Sequence, residues 1–165
     1  MAEGKPIRVG DDHAERYPGA NKLATEVVLN LIRTTTSITQ RLAVVFRRFG
    51  LTGAGYNTLM ILTGAGRPLA PRELGERLLV TRATVTGLVD TLEKQGLVRR
   101  RPSPDDRRMM LIEVTEKADE LLAEVWAVHF PAQTAMMSAL SDREKQTLIR
   151  LLGKVQASLD QPATS

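Results

Sequence analysis

Between Pro71 and Thr115 the hydrophobic period of the chain changes once, and that change limits the fold more than any other feature of the sequence. Pro71 fits the first turn of a short helix, where a missing N–H costs nothing, and this helix buries Leu74 and Leu78. After a brief turn, Thr81 caps a longer helix that runs to Gly96 and sets Val85, Leu88, Val89 and Leu92 on one face. The spacing then falls to two. Leu97 and Val98 lead into Arg99-Arg100-Arg101, the run Pro102-Ser103-Pro104-Asp105-Asp106 is a turn, and residues 109–114 alternate as a returning strand. A β-hairpin directly behind two short, turn-linked helices is a wing beside a helix-turn-helix.

The rest of the chain is helical in pattern. Residues 1–20 mix charges with Gly and Pro without periodicity and read as a flexible or loosely docked arm. Leu23, Val27, Leu31, Ile38, Leu42, Val45, Phe46 and Phe49 recur at helical spacing, and this first helix ends near Gly50. Thr52 caps a second helix carrying Tyr56, Leu59, Met60 and Leu62, which stops at Gly64-Ala65-Gly66. Beyond the hairpin, Thr115 caps a helix with Leu121, Leu122, Val125, Trp126 and Val128, and Pro131 is expected to kink or break it. Ser141 and Glu144 have the capping-box spacing before a stripe of Leu148, Leu151, Leu152, Val155 and Leu159. The fold class is therefore mainly α, in the order α-α-α-α-β-β-α-α with a short β-wing. Residues 1–20 are the arm, 51–115 the DNA-binding lobe, 21–50 and 116–160 a helical dimerisation region, and 161–165 a tail.

Charge locates the working surface. The segment 66–112 holds ten Lys/Arg against six Asp/Glu, which accounts for the whole formal net charge of +4, and the remaining 13 basic and 13 acidic residues cancel. A basic excess confined to one segment is the footprint of a surface that meets phosphates. Cysteine is absent, which excludes disulfides and thiolate metal sites and makes a reducing cytoplasm the expected compartment. No apolar run follows a basic start, as a secretory signal needs, and the central stretch 42–46 falls far short of the roughly 20 residues that span a bilayer. With two histidines, no cysteine nucleophile and no phosphate-binding Gly loop, neither an enzyme nor a bound metal is expected.

On the 81–96 helix the face opposite the apolar stripe carries Ala83, Thr86, Gly87, Asp90 and Lys94, with Arg82 and Thr84 on its flanks. Small and hydroxyl-bearing residues let a helix lie deep in a major groove, where Thr and Arg reach base edges. Gly87 costs the helix roughly 1 kcal/mol relative to Ala and is either a point of close backbone approach to DNA or neutral drift on a solvated face. In the hairpin, which also carries Arg107, an arginine at the tip can enter a minor groove; Asp106 and Arg108 are either a pair in which the carboxylate steadies the guanidinium or a solvated salt bridge in a turn. Arg99 and Arg101, together with Thr81 and Arg72, are the expected phosphate contacts, and alternation points Arg100 away from its two neighbours.

The terminal helices carry more apolar surface than one small chain can cover, so Leu23, Val27 and Leu31 with the stripe from Leu148 to Leu159 point to a bundle shared between two copies. Phe46, Phe49, Tyr56, Trp126, His129 and Phe130 either line a ligand cavity, with Arg47 or Arg48 drawing an anion, or are plain core. The alternative to a specific regulator is a winged helix that coats DNA without sequence preference or contacts protein.

The run Pro71-Arg72-Glu73-Leu74-Gly75-Glu76-Arg77-Leu78, then Val80-Thr81-Arg82-Ala83-Thr84-Val85-Thr86, Leu88-Val89-Asp90, Leu92-Glu93 and Gly96-Leu97-Val98, resembles the helix-turn-helix of the MarR family of bacterial transcription regulators. Asp106-Arg107-Arg108 followed by Leu111, Val114 and Thr115 is similar to that family's wing. The resemblance covers roughly residues 22–160 and is most specific from Leu74 to Thr115. It implies an obligate homodimer built from the first and last helices, with each recognition helix in a major groove. It also implies Arg108 as the minor-groove residue, Asp106 as its support, and response to a small lipophilic or aromatic, often anionic, effector. The sequence departs from the family pattern at Gly87, where relatives carry a larger polar or basic residue, and at Ala118, where a Gly is common. Without cysteine, the peroxide sensing of some relatives is excluded.

Overall fold

The computed structural model describes residues 4–160 apart from positions 105 and 107. In chain order these form α1 (His13–Arg16), α2 (Lys22–Arg47), α3 (Gly53–Ala65), α4 (Pro71–Leu78), α5 (Arg82–Lys94), β1 (Val98–Pro102), β2 (Met110–Val114), α6 (Glu116–Met136) and α7 (Asp142–Leu159). They divide into two compact units, one up to Val125 and one from Trp126. Among the described residues no helix is long and apolar enough to cross a membrane.

The helix starts are set by side chains that occupy otherwise unpaired N–H groups. Thr52 accepts from Gly55 N–H, Thr81 from Thr84 N–H, and Ser141 with Glu144 closes a reciprocal capping box. Pro71 sits in the first turn of α4. The core of the first unit is a lattice of α3, α4, α5 and the hairpin: Leu59, Leu69, Leu74, Val85, Val89, Leu92, Val98 and Ile112 are each at most 2% exposed. The start of α6 adds Ala118, Leu122 and Val125 to the buried set.

β1 and β2 pair antiparallel, Val98 opposite Val114 and Arg100 opposite Ile112. Leu69, in the link between α3 and α4, joins this sheet by a two-way backbone bridge to Ile112 at 2.9 and 2.8 Å. The wing is thus bolted to the helix-turn-helix by main chain as well as by packing. A second joint lies at the far end of α5. There the Thr115 hydroxyl donates to Gly96 carbonyl (2.8 Å), the Lys117 ammonium to Gln95 carbonyl (2.7 Å), and the Gln95 amide to Gly50 carbonyl (3.2 Å).

Two features sharpen or depart from the sequence expectation. Of the two readings of residues 1–20, flexible or loosely docked, the described part takes the docked one along α2, and α1 is an extra single turn within it. Arg33 donates to the Lys5 carbonyl, Asn30 accepts from and donates to Ile7, and Glu26 accepts from Val9 N–H, so α2 satisfies the backbone of every second residue. Glu26 is only 4% exposed, and the Arg8 guanidinium at 2.6 Å, with the Val9 N–H, holds its carboxyl below the usual carboxylate range. Periodicity could not reveal this, because the helix holds the arm mostly by its backbone, with Arg8 and His13 as isolated side-chain contacts. Secondly, α6 is continuous through Pro131 to Met136. One lost N–H bond and the ring clash act locally, and the helix-forming residues Ala132, Gln133 and Ala135 carry the helix on.

Candidate nucleic-acid interface

The recognition surface is built outward from α5. Val85, Val89 and Leu92 are buried, so Arg82, Ala83, Thr84, Thr86 and Gly87 are left exposed on the other side. Leu88, expected in the core with them, is half-buried. A Cβ on Gly87 would meet nothing within 4 Å, so no packing constraint within the chain requires glycine there. The first turn of α5 carries Arg82 and no carboxylate, whereas α4, α6 and α7 all have acidic residues at this place. The positive end of the helix dipole is therefore reinforced where an anion would approach.

Arg72 of α4, Thr81, Arg82 and Thr84 at the start of α5, and Arg108 of the wing line one open groove of about 1170 Å³. Thr81 and Thr84 share a hydroxyl–hydroxyl bond of 2.9 Å there, and Arg72 is steadied by Glu76 at 2.9 Å. Asp106 does support Arg108, but through the main chain: its carboxylate accepts from the Arg108 backbone N–H at 2.9 Å. This shapes the tip of the wing and leaves the guanidinium to reach outward. Arg107, the third residue expected in the wing contact, and its neighbour Asp105 lie outside the described residues.

The three arginines of β1 divide as alternation requires. Arg99 and Arg101 both bond Glu113 on β2, at 2.6 and 3.1 Å. A guanidinium has five N–H donors, so each retains capacity for a phosphate while its position is fixed. Arg100 turns the other way and grips α5, with its guanidinium on Asp90 (2.5 Å) and Glu93 and its backbone N–H on Glu93 (3.2 Å). Asp90 foremost, then Glu93, raises the Arg100 pKa further above its ordinary value. Asp90, placed by sequence on the outward face of α5, is therefore committed to the wing. The Arg100 link is the positioning contact that sequence reasoning missed, although two carboxylates one helical turn apart facing an inward-pointing strand arginine were its signal.

The aromatic candidates separate between the two units. Phe46 and Tyr56 stack at 4.3 Å in the core of the first unit, 3% and 5% exposed, and Phe49 is half-buried. In the second unit Trp126 stacks on the exposed Phe130 at 6.2 Å, and burial pushes the His129 imidazole below its ordinary pKa.

The sequence profile of the MarR family matches residues 49–109. The chain is 34% identical over 143 residues to the HTH-type transcriptional repressor YetL of Bacillus subtilis, covering 86% of each chain. It is 31% identical to the HTH-type transcriptional regulator PecS of Dickeya dadantii, covering 81% of each. Among solved structures, a mutant MarR from E. coli complexed with operator DNA superposes with a TM-score of 0.72 at 25% identity, over 88% of this chain and 99% of that one.

Proposed function

The chain belongs to the MarR family, and from that premise we propose that it is a transcription regulator, working as a repressor, that binds a pseudo-palindromic double-stranded operator as a homodimer. In this reading α5 enters the major groove and Arg108 the adjacent minor groove, and two-fold symmetry presents half-sites about one helical turn apart or a multiple. The observation that carries it is the shared groove of Arg72, Thr81, Arg82, Thr84 and Arg108, three guanidiniums and two hydroxyls drawn from three separate elements. A small lipophilic or aromatic anion belongs to the same proposal as effector. Of the candidate aromatics in the first unit, Phe49 retains ring surface to offer it, whereas Phe46 and Tyr56 stack on each other in the core.

The test is a titration of duplexes selected by the protein from a random library against unselected duplex, at several salt concentrations. Specific regulation predicts a preference on the order of 10³ or more, and equal affinity for both rejects it. Arg108→Ala is expected to weaken binding of the selected duplex by a factor of about ten to a hundred, with thermal stability unchanged because the side chain is exposed. Loss of folding in that variant would make Arg108 structural instead.

Gly87→Ala separates stability from recognition at the centre of α5. The added methyl enters open space, so the fold is expected to gain about 1 kcal/mol in denaturant titrations. Binding of the selected duplex is expected to weaken, because the backbone can no longer approach as closely. Unchanged affinity would discard the close approach.

A further inference from the structure

Leu79, in the turn between α4 and α5, is doubly unfavourable for the isolated chain. It has φ 56°, the one non-glycine residue with positive φ among the described residues, in a left-handed conformation that a branched side chain adopts only at a cost. It is also 91% exposed, more than any other large apolar side chain described. The turn itself requires the conformation: Leu79 N–H bonds Glu76 carbonyl and Val80 N–H bonds Gly75 carbonyl at 3.1 Å, which closes α4 and releases the chain toward Thr81. Glycine or asparagine would satisfy that geometry with less strain. A leucine there is not explained by the contacts described within the chain, and strain at an exposed position points to a function.

The surroundings indicate what the side chain meets. Leu79 lines the groove described above with Val80, Met109 and Met110, all exposed, in company with Arg72, Arg82 and Arg108 and with Glu76, which pairs with Arg72. The lining thus mixes exposed apolar side chains with guanidiniums. If α5 occupies a major groove and the wing the neighbouring minor groove, the sugar–phosphate strand that separates those two grooves has to cross the gap between them. That gap is this groove. A deoxyribose–phosphate strand matches this lining in chemistry, with anionic oxygens for the guanidiniums and apolar sugar edges for the exposed Leu79 and methionines.

We propose that Leu79 is a DNA-contact residue whose side chain packs against the deoxyribose of the strand running between α5 and the wing. The proposal rests on the DNA-binding reading above and adds to it an uncharged, sequence-independent contact from the turn. Its consequence is a pair of effects of opposite sign. Leu79→Gly and Leu79→Asn both relieve the left-handed strain and remove exposed apolar surface, so Tm is expected to rise by a few degrees. Both remove the sugar contact, so affinity is expected to fall roughly tenfold for selected and unselected duplex alike. Because no charge changes, the slope of log affinity against log salt should equal that of the wild type, whereas Arg72→Ala or Arg108→Ala should reduce it by about one unit.

A Tm that falls in both variants would make Leu79 a structural residue and overturn the assignment. So would wild-type affinity in both variants, the result expected if the groove serves a small amphipathic anion instead. A changed salt slope would do the same. The two levels of the reading fail separately: a wild-type protein that enriches no sequence and retains no duplex ends both, while a wild type that selects DNA beside variants of equal affinity ends only the role of Leu79.

Discussion

A protein carrying Leu151→Glu and Val155→Glu is expected to sediment as a monomer at micromolar concentration and to lose operator affinity by a factor on the order of 10³. The reason lies in α7. It is an 18-residue helix closed at its start by a capping box, yet none of its residues is buried. Leu148, Leu151, Leu152, Val155 and Leu159 recur at helical spacing, and all are between 36% and 77% exposed. A helix of this length is marginal alone in water, so its persistence calls for a surface to pack on. On α2, Leu23, Val27, Val28 and Ile32 are likewise more than half exposed. Each such side chain contributes about 1.5–3 kcal/mol when fully buried, and in the proposed homodimer a second copy of the chain would supply partners for both faces by symmetry.

Two carboxylates in the middle of the α7 stripe would be buried without partners and would disfavour association strongly. Operator affinity falls further than any single contact could explain, because two linked half-site contacts bind with a multiplied advantage that a monomer forfeits. Arg150→Glu, also on α7 but off the apolar stripe, is the control and should leave both measurements near wild type. Sedimentation velocity and a binding titration decide it. A wild type that runs as a monomer, or a double variant that remains a dimer, would end the proposed assembly.

Where local chemistry sets the structure, the chain could be read in advance. Thr52, Thr81 and Ser141 cap because a short side-chain oxygen stands just before an apolar-periodic run, and Pro71 starts α4 because its missing N–H is not needed there. The opposite orientation of Arg100 followed from strand alternation alone. What stayed hidden depends on partners distant in sequence. The Leu69–Ile112 bridge is a single residue of strand and leaves no pattern. The docked arm is held mostly through its backbone, by Glu26, Asn30 and Arg33, and the side-chain contacts it adds, Arg8 on Glu26 and His13 beside Thr25, follow no period that would announce them. Asp106 was expected to hold the Arg108 guanidinium, but its carboxylate accepts from the Arg108 main-chain N–H, an outcome set by turn geometry that residue types do not reveal. Leu79 was illegible for a different reason: its residue type argues against the conformation it adopts.

Gly75→Leu is expected to lower the stability of the fold by about 1–3 kcal/mol and to abolish discrimination between selected and unselected duplex. Gly75 lies where α4 crosses the turn and the start of α5. A Cβ built on it would stand 3.2 Å from Val85 Cγ2 and 3.3 Å from the Val80 carbonyl oxygen, both tighter than ordinary contact. Both neighbours can give by a few tenths of an ångström, which a methyl needs, and not by the further width of a larger side chain. Val85 is fully buried, and the Val80 oxygen belongs to the backbone of the turn, whose N–H is itself bonded to Gly75. Alanine sets a small steric demand against a helix-propensity gain of up to about 1 kcal/mol, so Gly75→Ala should leave Tm close to wild type. Leucine exceeds that allowance, and the strain can be relieved only by moving α4 and α5 apart. Such a shift displaces Arg72 on one helix relative to Thr81, Arg82 and Thr84 on the other, and the groove they share no longer has one geometry. The series Gly75→Ala, Gly75→Val and Gly75→Leu should therefore show Tm and specificity falling together with side-chain volume. A leucine variant with wild-type Tm and wild-type discrimination would show that the crossing tolerates separation, and that the spacing of these two helices is not what positions the recognition surface.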